Sequence, residues 1–140
     1  MANTKPVKTT QNTNDEIAVV INDLHPSLFV SQNESLLNAL RRAGYFSVKY
    51  GCGDGTCGVC SVLVNGKPVK SCAIKAVDVR NAEITTIEGL GQNDEIDPIQ
   101  SAFMETGAIQ CGYCTPAQIL SAKSLLNKNP IRMKMKFAKR

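Results

Sequence analysis

Between positions 51 and 60 the chain reads GCGDGTCGVC, a stretch holding Cys52, Cys57 and Cys60 among Gly51, Gly53, Gly55 and Gly58. The spacing is C-x4-C-x2-C, and Cys72 follows after eleven residues. Thiols gathered this closely converge on a small volume. A loop can aim three of them inward only if its backbone turns sharply and often. Glycine allows the positive φ that such turns need, and it lets backbone N–H groups approach sulfur. The rest of the chain is organised around this loop.

The spacing is the plant-type ligand pattern of a 2Fe–2S cluster. Structural zinc would show two separate C-x2-C pairs or a Cys/His mixture, and the x4 gap among glycines fits it poorly. A disulfide framework belongs to an oxidising compartment and normally to a signal peptide, and neither is indicated. Inert core cysteines would not gather three in nine positions among glycines.

Composition narrows the setting. Hydrophobic residues make up 43% of the 140, enough for a core, but Trp is absent, so that core must be mostly aliphatic. No run of about eighteen apolar residues occurs, so no membrane helix is expected. The first residues, MANTKPVKTTQNTN, lack the apolar h-region of a secretory signal, and Arg41-Arg42 lies too far inside to be a twin-arginine signal. A cytoplasmic location is expected. The net charge of +4 comes largely from Arg132, Lys134, Lys136, Lys139 and Arg140. The remaining body is close to neutral, which argues against a nucleic-acid partner.

Residues 1–14 are polar and Thr/Asn-rich, and are expected to form a disordered arm. Residues 17–21 (IAVVI) and 28–30 read as strands flanking a turn at Asn22-Asp23 and His25-Pro26. His25, the single histidine, reads as a solvated turn residue. Residues 35–43 place Leu36, Leu37 and Leu40 at helical spacing before Gly44, with Ser31 or Asn33 as the expected cap. Residues 59–64 run into Asn65-Gly66, a hairpin turn signal, and residues 68–71 return to deliver Cys72. Residues 84–87 form a last strand. Strands around one helix predict a β-grasp domain over residues 15–90.

From 91 to 130 the period changes from two to about 3.6. Asp97-Pro98 opens a helix carrying Ile99, Ala102, Phe103 and Thr106 on one face, and Gly107 stops it. Thr115-Pro116 opens a second, with Gln118 completing a capping box, and residues 127–130 end it. The pair is expected to be antiparallel, half of a four-helix bundle, with apolar faces around Phe103, Ile119 and Leu126 exposed. Its link reads Gln110-Cys111-Gly112-Tyr113-Cys114. Alone, C-x2-C fits a redox pair, zinc or half a cluster, although a thioredoxin-like motif would need a βαβ context that is missing.

Taken together, YGCGDGTCGVCSVLVNGKPVKSC, AEITTIEGL and GAIQCGYCTPAQILSAKSLLNKNP resemble the small iron–sulfur subunit of the xanthine oxidase, or molybdenum hydroxylase, family over roughly residues 15–130. That family includes carbon monoxide, aldehyde, nicotinate and isoquinoline dehydrogenases. The resemblance implies an α+β chain: a β-grasp, plant-type ferredoxin domain followed by an incomplete helical 2Fe–2S-binding domain. It implies that Cys52, Cys57, Cys60 and Cys72 hold one 2Fe–2S cluster, distal to molybdenum. Cys111 and Cys114 would supply half the ligands of a second, proximal cluster. Gln110 and Cys114 resemble residues that touch the pterin cofactor. The implied partners are a large molybdopterin-binding subunit and a FAD-binding subunit. The chain would relay electrons from molybdenum towards FAD or another acceptor and carry no catalytic residue of its own.

The chain also departs from the family. Six cysteines are present where two clusters need eight, and nothing after Cys114 is a thiolate ligand. Family members continue past NKNP with an acidic helix start and a later Cys-x-Cys. Here residues 131–140 read IRMKMKFAKR. A one-base reading-frame loss just after Pro130 would account for this aberrant basic tail, because each Met-Lys pair reads as Glu in the shifted frame. The competing expectations are a freestanding ferredoxin-like carrier and a non-functional frameshifted product.

Overall fold

In a computed structural model, residues 14–91 and 95–129 are described. Residues 1–13 of the expected arm and the whole of the expected tail at 131–140 lie outside them. Asn14, the last residue of that expected arm, belongs to the first strand.

The apolar run near the start is shared between two sheets. Strand β1 (Asn14–Ala18) pairs antiparallel with β3 (Ser27–Ser31), whereas β2 (Val20–Ile21) joins a four-stranded sheet of order β2-β6-β4-β5. Ile17, Val19 and Ile21 are all buried, so the period-two pattern persists across the break at Val19 and keeps one face on the core. Between β2 and β3, Asn22 and Asp23 take positive φ, 52° and 64°, conformations that Asn and Asp tolerate best among side-chain-bearing residues. His25 is exposed there.

Helix α1 (Leu36–Arg42) lays Leu36, Leu37, Ala39 and Leu40 on the core. Each fully buried leucine contributes about 1.5–3 kcal/mol relative to exposure. Its cap is Ser35, whose hydroxyl accepts from the Asn38 N–H, and neither Ser31 nor Asn33 takes that role. Ser35 is the residue immediately before the periodic leucines, where a cap satisfies the first free N–H groups.

Strands β4 (Ser61–Val64) and β5 (Lys67–Lys70) form the expected hairpin, with Asn65 and Gly66 at φ 49° and 72° in a primed turn. Strand β5 is an edge strand and carries Pro68 between Lys67 and Lys70, residues that discourage further pairing. Strand β6 (Glu83–Thr85) sits centrally, parallel to β2 and antiparallel to β4. This mixed sheet gripping one helix is the β-grasp arrangement. Two 3-10 turns, Ser71–Ala73 and Ala76–Val79, carry the chain from β5 to β6.

Helix α2 (Pro98–Glu105) starts at Asp97 in a full capping box, with the Gln100 side chain accepting from the Asp97 N–H. Helix α3 (Thr115–Lys128) is capped differently from the expectation: Cys114 is its N-cap and makes no side-chain cap bond. Helix α2 fully buries no residue, although Ile99 and Phe103 on its expected open face are half-buried. Helix α3 buries Ala117, Ile119, Leu120 and Ser124 against the hairpin, so Ile119 is core and not an open face. Strand β4 explains why: Val62 and Leu63 are both buried, and successive strand side chains point to opposite faces. Val62 joins the core around α1, and Leu63 needs a second layer, which α3 supplies. Ser124 Oγ completes the contact by donating to the Gly66 carbonyl at 2.8 Å.

Candidate metal centre

The loop at 51–60 is held by its own sulfurs. The Cys52 N–H donates to Cys57 Sγ at 3.5 Å, and the Cys57 N–H donates back to Cys52 Sγ at 3.3 Å. These contacts require close packing at Gly51: a Cβ there would lie 2.6 Å from Val59 Cγ1 and 2.8 Å from Cys57 Sγ. Gly55 combines φ +85° with a would-be Cβ 3.2 Å from Ala73, which packs the loop tip against the turn carrying Cys72. Asp54 Oδ1 accepts from the Thr56 N–H at 2.9 Å. Hydrogen bonding from Cys52 and Thr56 lowers the Asp54 carboxyl to about 2.

The hairpin supplies the fourth thiol. Register pairs Ser61 with Lys70, so Cys60 and Ser71 meet at its open end. Ser71 is fully buried and donates through Oγ to the Cys60 carbonyl at 2.7 Å. That bond fastens the turn bearing Cys72 beside Cys60. Ser71 escaped the sequence reading because a serine next to a cysteine carries no signal until the hairpin register is known.

Cys52 and Cys57 are exposed, Cys60 is buried and Cys72 is half-buried. Burial, and then the neighbouring Cys60 sulfur, push the Cys72 thiol up to about 11. The backbone N–H groups of Cys52 and Val59 hold Cys57 below the ordinary thiol range. No three His, Cys, Asp or Glu side chains among the described residues converge as they would on one metal ion. The thiols come instead as two pairs, Cys52 with Cys57 and Cys60 with Cys72. A 2Fe–2S group takes two ligands at each iron, so these residues fit it. The thiolate is the ligand form, and binding releases the thiol protons.

The second motif lies against the first. Cys111 and Cys114 are exposed, as are Gln110 and Tyr113. Tyr113 Oη donates to the Tyr50 carbonyl, one residue before Gly51, at 2.5 Å. Cys114 and Cys57 line one cleft of about 410 Å³ with Gly58, Val59, Ser61 and Gln118. A second, more apolar cleft of about 390 Å³ opens between Ile87, Ile96, Met104, Ile109 and Ile119.

Behind the loop, four side chains form a chain of hydrogen bonds that sequence patterns did not reveal. Asn22 Nδ2 donates to Thr86 Oγ1 at 2.8 Å, and the Thr86 N–H donates to Asn22 Oδ1 at 2.9 Å. The Thr86 and Ser47 hydroxyls both donate to Glu88 Oε2. Ser47 lies on the segment leading into the cysteine loop. Desolvation pushes the Glu88 carboxyl up, but the Ser47 and Thr86 donors outweigh it and hold the group below the usual carboxylate range.

Residues 20–86 match the family described as 2Fe-2S iron-sulfur cluster binding domain, and residues 86–139 match 2Fe-2S binding domain. The chain is 46% identical over 105 residues to the nicotinate dehydrogenase small FeS subunit of Eubacterium barkeri, covering 74% of this chain and 67% of that one. It is 42% identical over 113 residues to the aldehyde oxidoreductase iron-sulfur-binding subunit PaoA of Escherichia coli O157:H7, covering 80% of this chain and 49% of that protein. Among solved structures, quinoline 2-oxidoreductase from Pseudomonas putida 86 superposes with TM-score 0.81 at 35% identity, covering 84% of this chain and 74% of that one. The chain belongs to the iron–sulfur subunits of the molybdenum hydroxylase family. Its cofactor is the 2Fe–2S cluster. The second family match runs through 139 and so includes most of the basic tail.

Proposed function

We propose that this chain is the electron-transfer subunit of a molybdenum-containing hydroxylase, relaying electrons from a molybdenum cofactor towards FAD or another acceptor. The observation that carries the reading is the juxtaposition of two thiol loops: Cys57 and Cys114 line one cleft, and Tyr113 is bonded to the residue before Gly51. Residues 15–90 form the first unit, and residues 91–130 form the second, which leans on it. Cys52, Cys57, Cys60 and Cys72 hold one cluster. Cys111 and Cys114 give two ligands of a second, whose remaining pair is not among the six cysteines of residues 1–140. Gln110 and Cys114 are the residues for contact with the pterin of a molybdopterin-binding partner, and a FAD-binding subunit completes the assembly.

When bound, a 2Fe–2S cluster supplies a one-electron couple. The protein contributes thiolate ligation, N–H groups aimed at sulfur, and partial burial. Each of these tunes the potential at which the electron is held. No helix among the described residues is long and apolar enough to cross a membrane, and we place the chain in the cytoplasm.

A freestanding ferredoxin-like carrier is the second reading, favoured by the completeness of the first ligand set. A carrier has no use for a helical unit bearing two exposed cysteines. Pull-down of the tagged full-length chain from its native cells separates the two: a subunit brings a large molybdopterin protein and a flavoprotein with it, whereas a carrier elutes alone. The frame-loss idea is tested by the downstream DNA, which would encode an acidic helix and then Cys-x-Cys in an adjacent frame.

A further inference from the structure

The contact between the two thiol loops is specific enough to have a consequence. Tyr113 sits inside the C-x2-C motif, between Cys111 and Cys114. Its hydroxyl donates to the Tyr50 carbonyl across sixty-three positions of sequence. Its ring lies 5.9 Å from Lys49 Nζ, within cation–π range. Lys49 is itself tied down, donating to the Phe46 carbonyl at 3.1 Å. Both contacts fall on the two residues that precede Gly51, where the backbone is already crowded by Cys57 Sγ and Val59. The C-x2-C segment otherwise runs over the surface, with every residue from 104 to 111 exposed. Gly107 within that run and Gly112 just after it, at φ 65° and 81°, take conformations few other residues adopt.

We propose that Tyr113 is a positioning residue that couples the two loops, so that filling the Cys52/Cys57/Cys60/Cys72 site orders the Cys111/Cys114 loop. This rests on the ligand assignment above. Binding four thiolates fixes the backbone around Gly51 and with it the Tyr50 carbonyl. The Tyr113 hydroxyl then has a stationary acceptor, and the loop around it loses freedom. By linkage, an ordered second loop favours filling of the first site to the same degree. One hydrogen bond limits the effect to about threefold to tenfold in the opening equilibrium. The consequence is cooperative assembly: a filled first site and a fixed second loop favour each other.

The test is a two-by-two comparison of amide exchange in the full-length chain: wild type and Tyr113→Phe, each before and after reconstitution with iron and sulfide. Loading should slow exchange across 108–115 about threefold to tenfold in wild type and leave it unchanged in the variant. Protection in β4 and β6 should be equal in both. The same slowing in Tyr113→Phe, or none in loaded wild type, overturns the proposal. Iron and sulfide content of each sample reports separately on the ligand assignment. If the chain takes up no iron, the metal-free protein still decides: the Tyr50 carbonyl carbon should shift in the NMR spectrum of Tyr113→Phe, and an unmoved resonance refutes the clamp. Lys49→Met, which keeps the hydroxyl bond, should retain most of the coupling, and complete loss there would transfer the role from the hydroxyl to the cation.

Discussion

The two cysteine-bearing regions are built on different terms. The first loop, though Cys52 and Cys57 are exposed, is braced by its own domain. Its thiols are cross-braced by Cys52 and Cys57 amides, its glycines let the backbone fold inward, and buried Ser71 pins the returning strand to Cys60. The second loop has two exposed cysteines on a link between a helix that fully buries no residue and a helix that borrows the back of the sheet. The difference teaches that ligand spacing and ligand support are separate properties. The first region has both. The second has spacing, and its support comes from outside itself: Leu63, Gly66 and the Tyr50 carbonyl.

The largest expected effect sharpens that contrast. Cys57→Ser should abolish most of the visible absorption and the reduced-state EPR signal of the reconstituted chain, because it removes one thiol of the proposed ligand set and the sulfur that accepts from the Cys52 N–H, although the Cys57 N–H that donates to Cys52 Sγ remains. Cys111→Ser should leave those signals close to wild type. Unchanged iron and sulfide in Cys57→Ser would remove that residue from the ligand set. An equal loss in Cys111→Ser would erase the distinction between the loops.

Next comes the borrowed support. Leu120 is 2% exposed and seats α3 on the sheet. Leu120→Ala should cost about 2–5 kcal/mol, as buried leucine truncations do. If α3 is a layer added to a self-sufficient grasp domain, the loss should appear as fast amide exchange in α3 with β2 and β6 still protected. Uniform loss of protection would show instead that the two regions fold as one unit.

How legible each region was follows from the same contrast. The C-x4-C-x2-C loop, the Asn65-Gly66 turn and the Asp97-Pro98 helix start are local chemistry, each written in two to ten adjacent residues. What escaped depended on distant partners. The run IAVVI reads as one strand, yet it divides at Val19 because its two ends pair with β3 and β6, far apart in sequence. Thr115 looks like a cap by type, but the chain leaves Gly112 in a turn that puts Cys114 at that position. The docking of α3 had a signal, since Val62-Leu63-Val64 is a continuous apolar run, the mark of a strand covered on both faces. Tyr113, Ser71 and Glu88 had none, because each acts through hydrogen bonding to a residue, Tyr50, Cys60 and Ser47 respectively, that only the fold brings near.

A smaller effect belongs to the joint between α2 and α3. Asp97 caps α2 by accepting from the Ile99 N–H at 2.9 Å, and its other oxygen accepts from Lys123 Nζ of α3. Asp97→Ala should cost about 0.5–2 kcal/mol through the cap, and more where the lysine partner is stranded. The loss should be confined to α2, whose amides should exchange near the open-chain rate. Protection of α2 equal to wild type would mean that neither contact holds it.

The smallest effect concerns Glu88 and depends on pH. Its carboxyl is held below the ordinary range, so the folded state binds that proton less readily than the unfolded chain does. For a depressed acid, the stabilisation is fully present above the unfolded value, near 4.3 for glutamate. It is lost as pH falls through the folded one. At neutral pH the carboxylate accepts from Ser47 and Thr86 and steadies the segment leading into the cysteine loop. Glu88→Gln keeps the shape but weakens charge-assisted bonds to neutral ones, at about 1 kcal/mol. The thermal midpoint of Glu88→Gln should therefore fall below wild type at pH 7, and the gap should narrow as both are taken from pH 5 towards pH 3. A gap that stays constant over that window would show that the side chain acts by packing alone. A gap that widens would reverse the sign of the linkage and place the proton, not the charge, in the folded state.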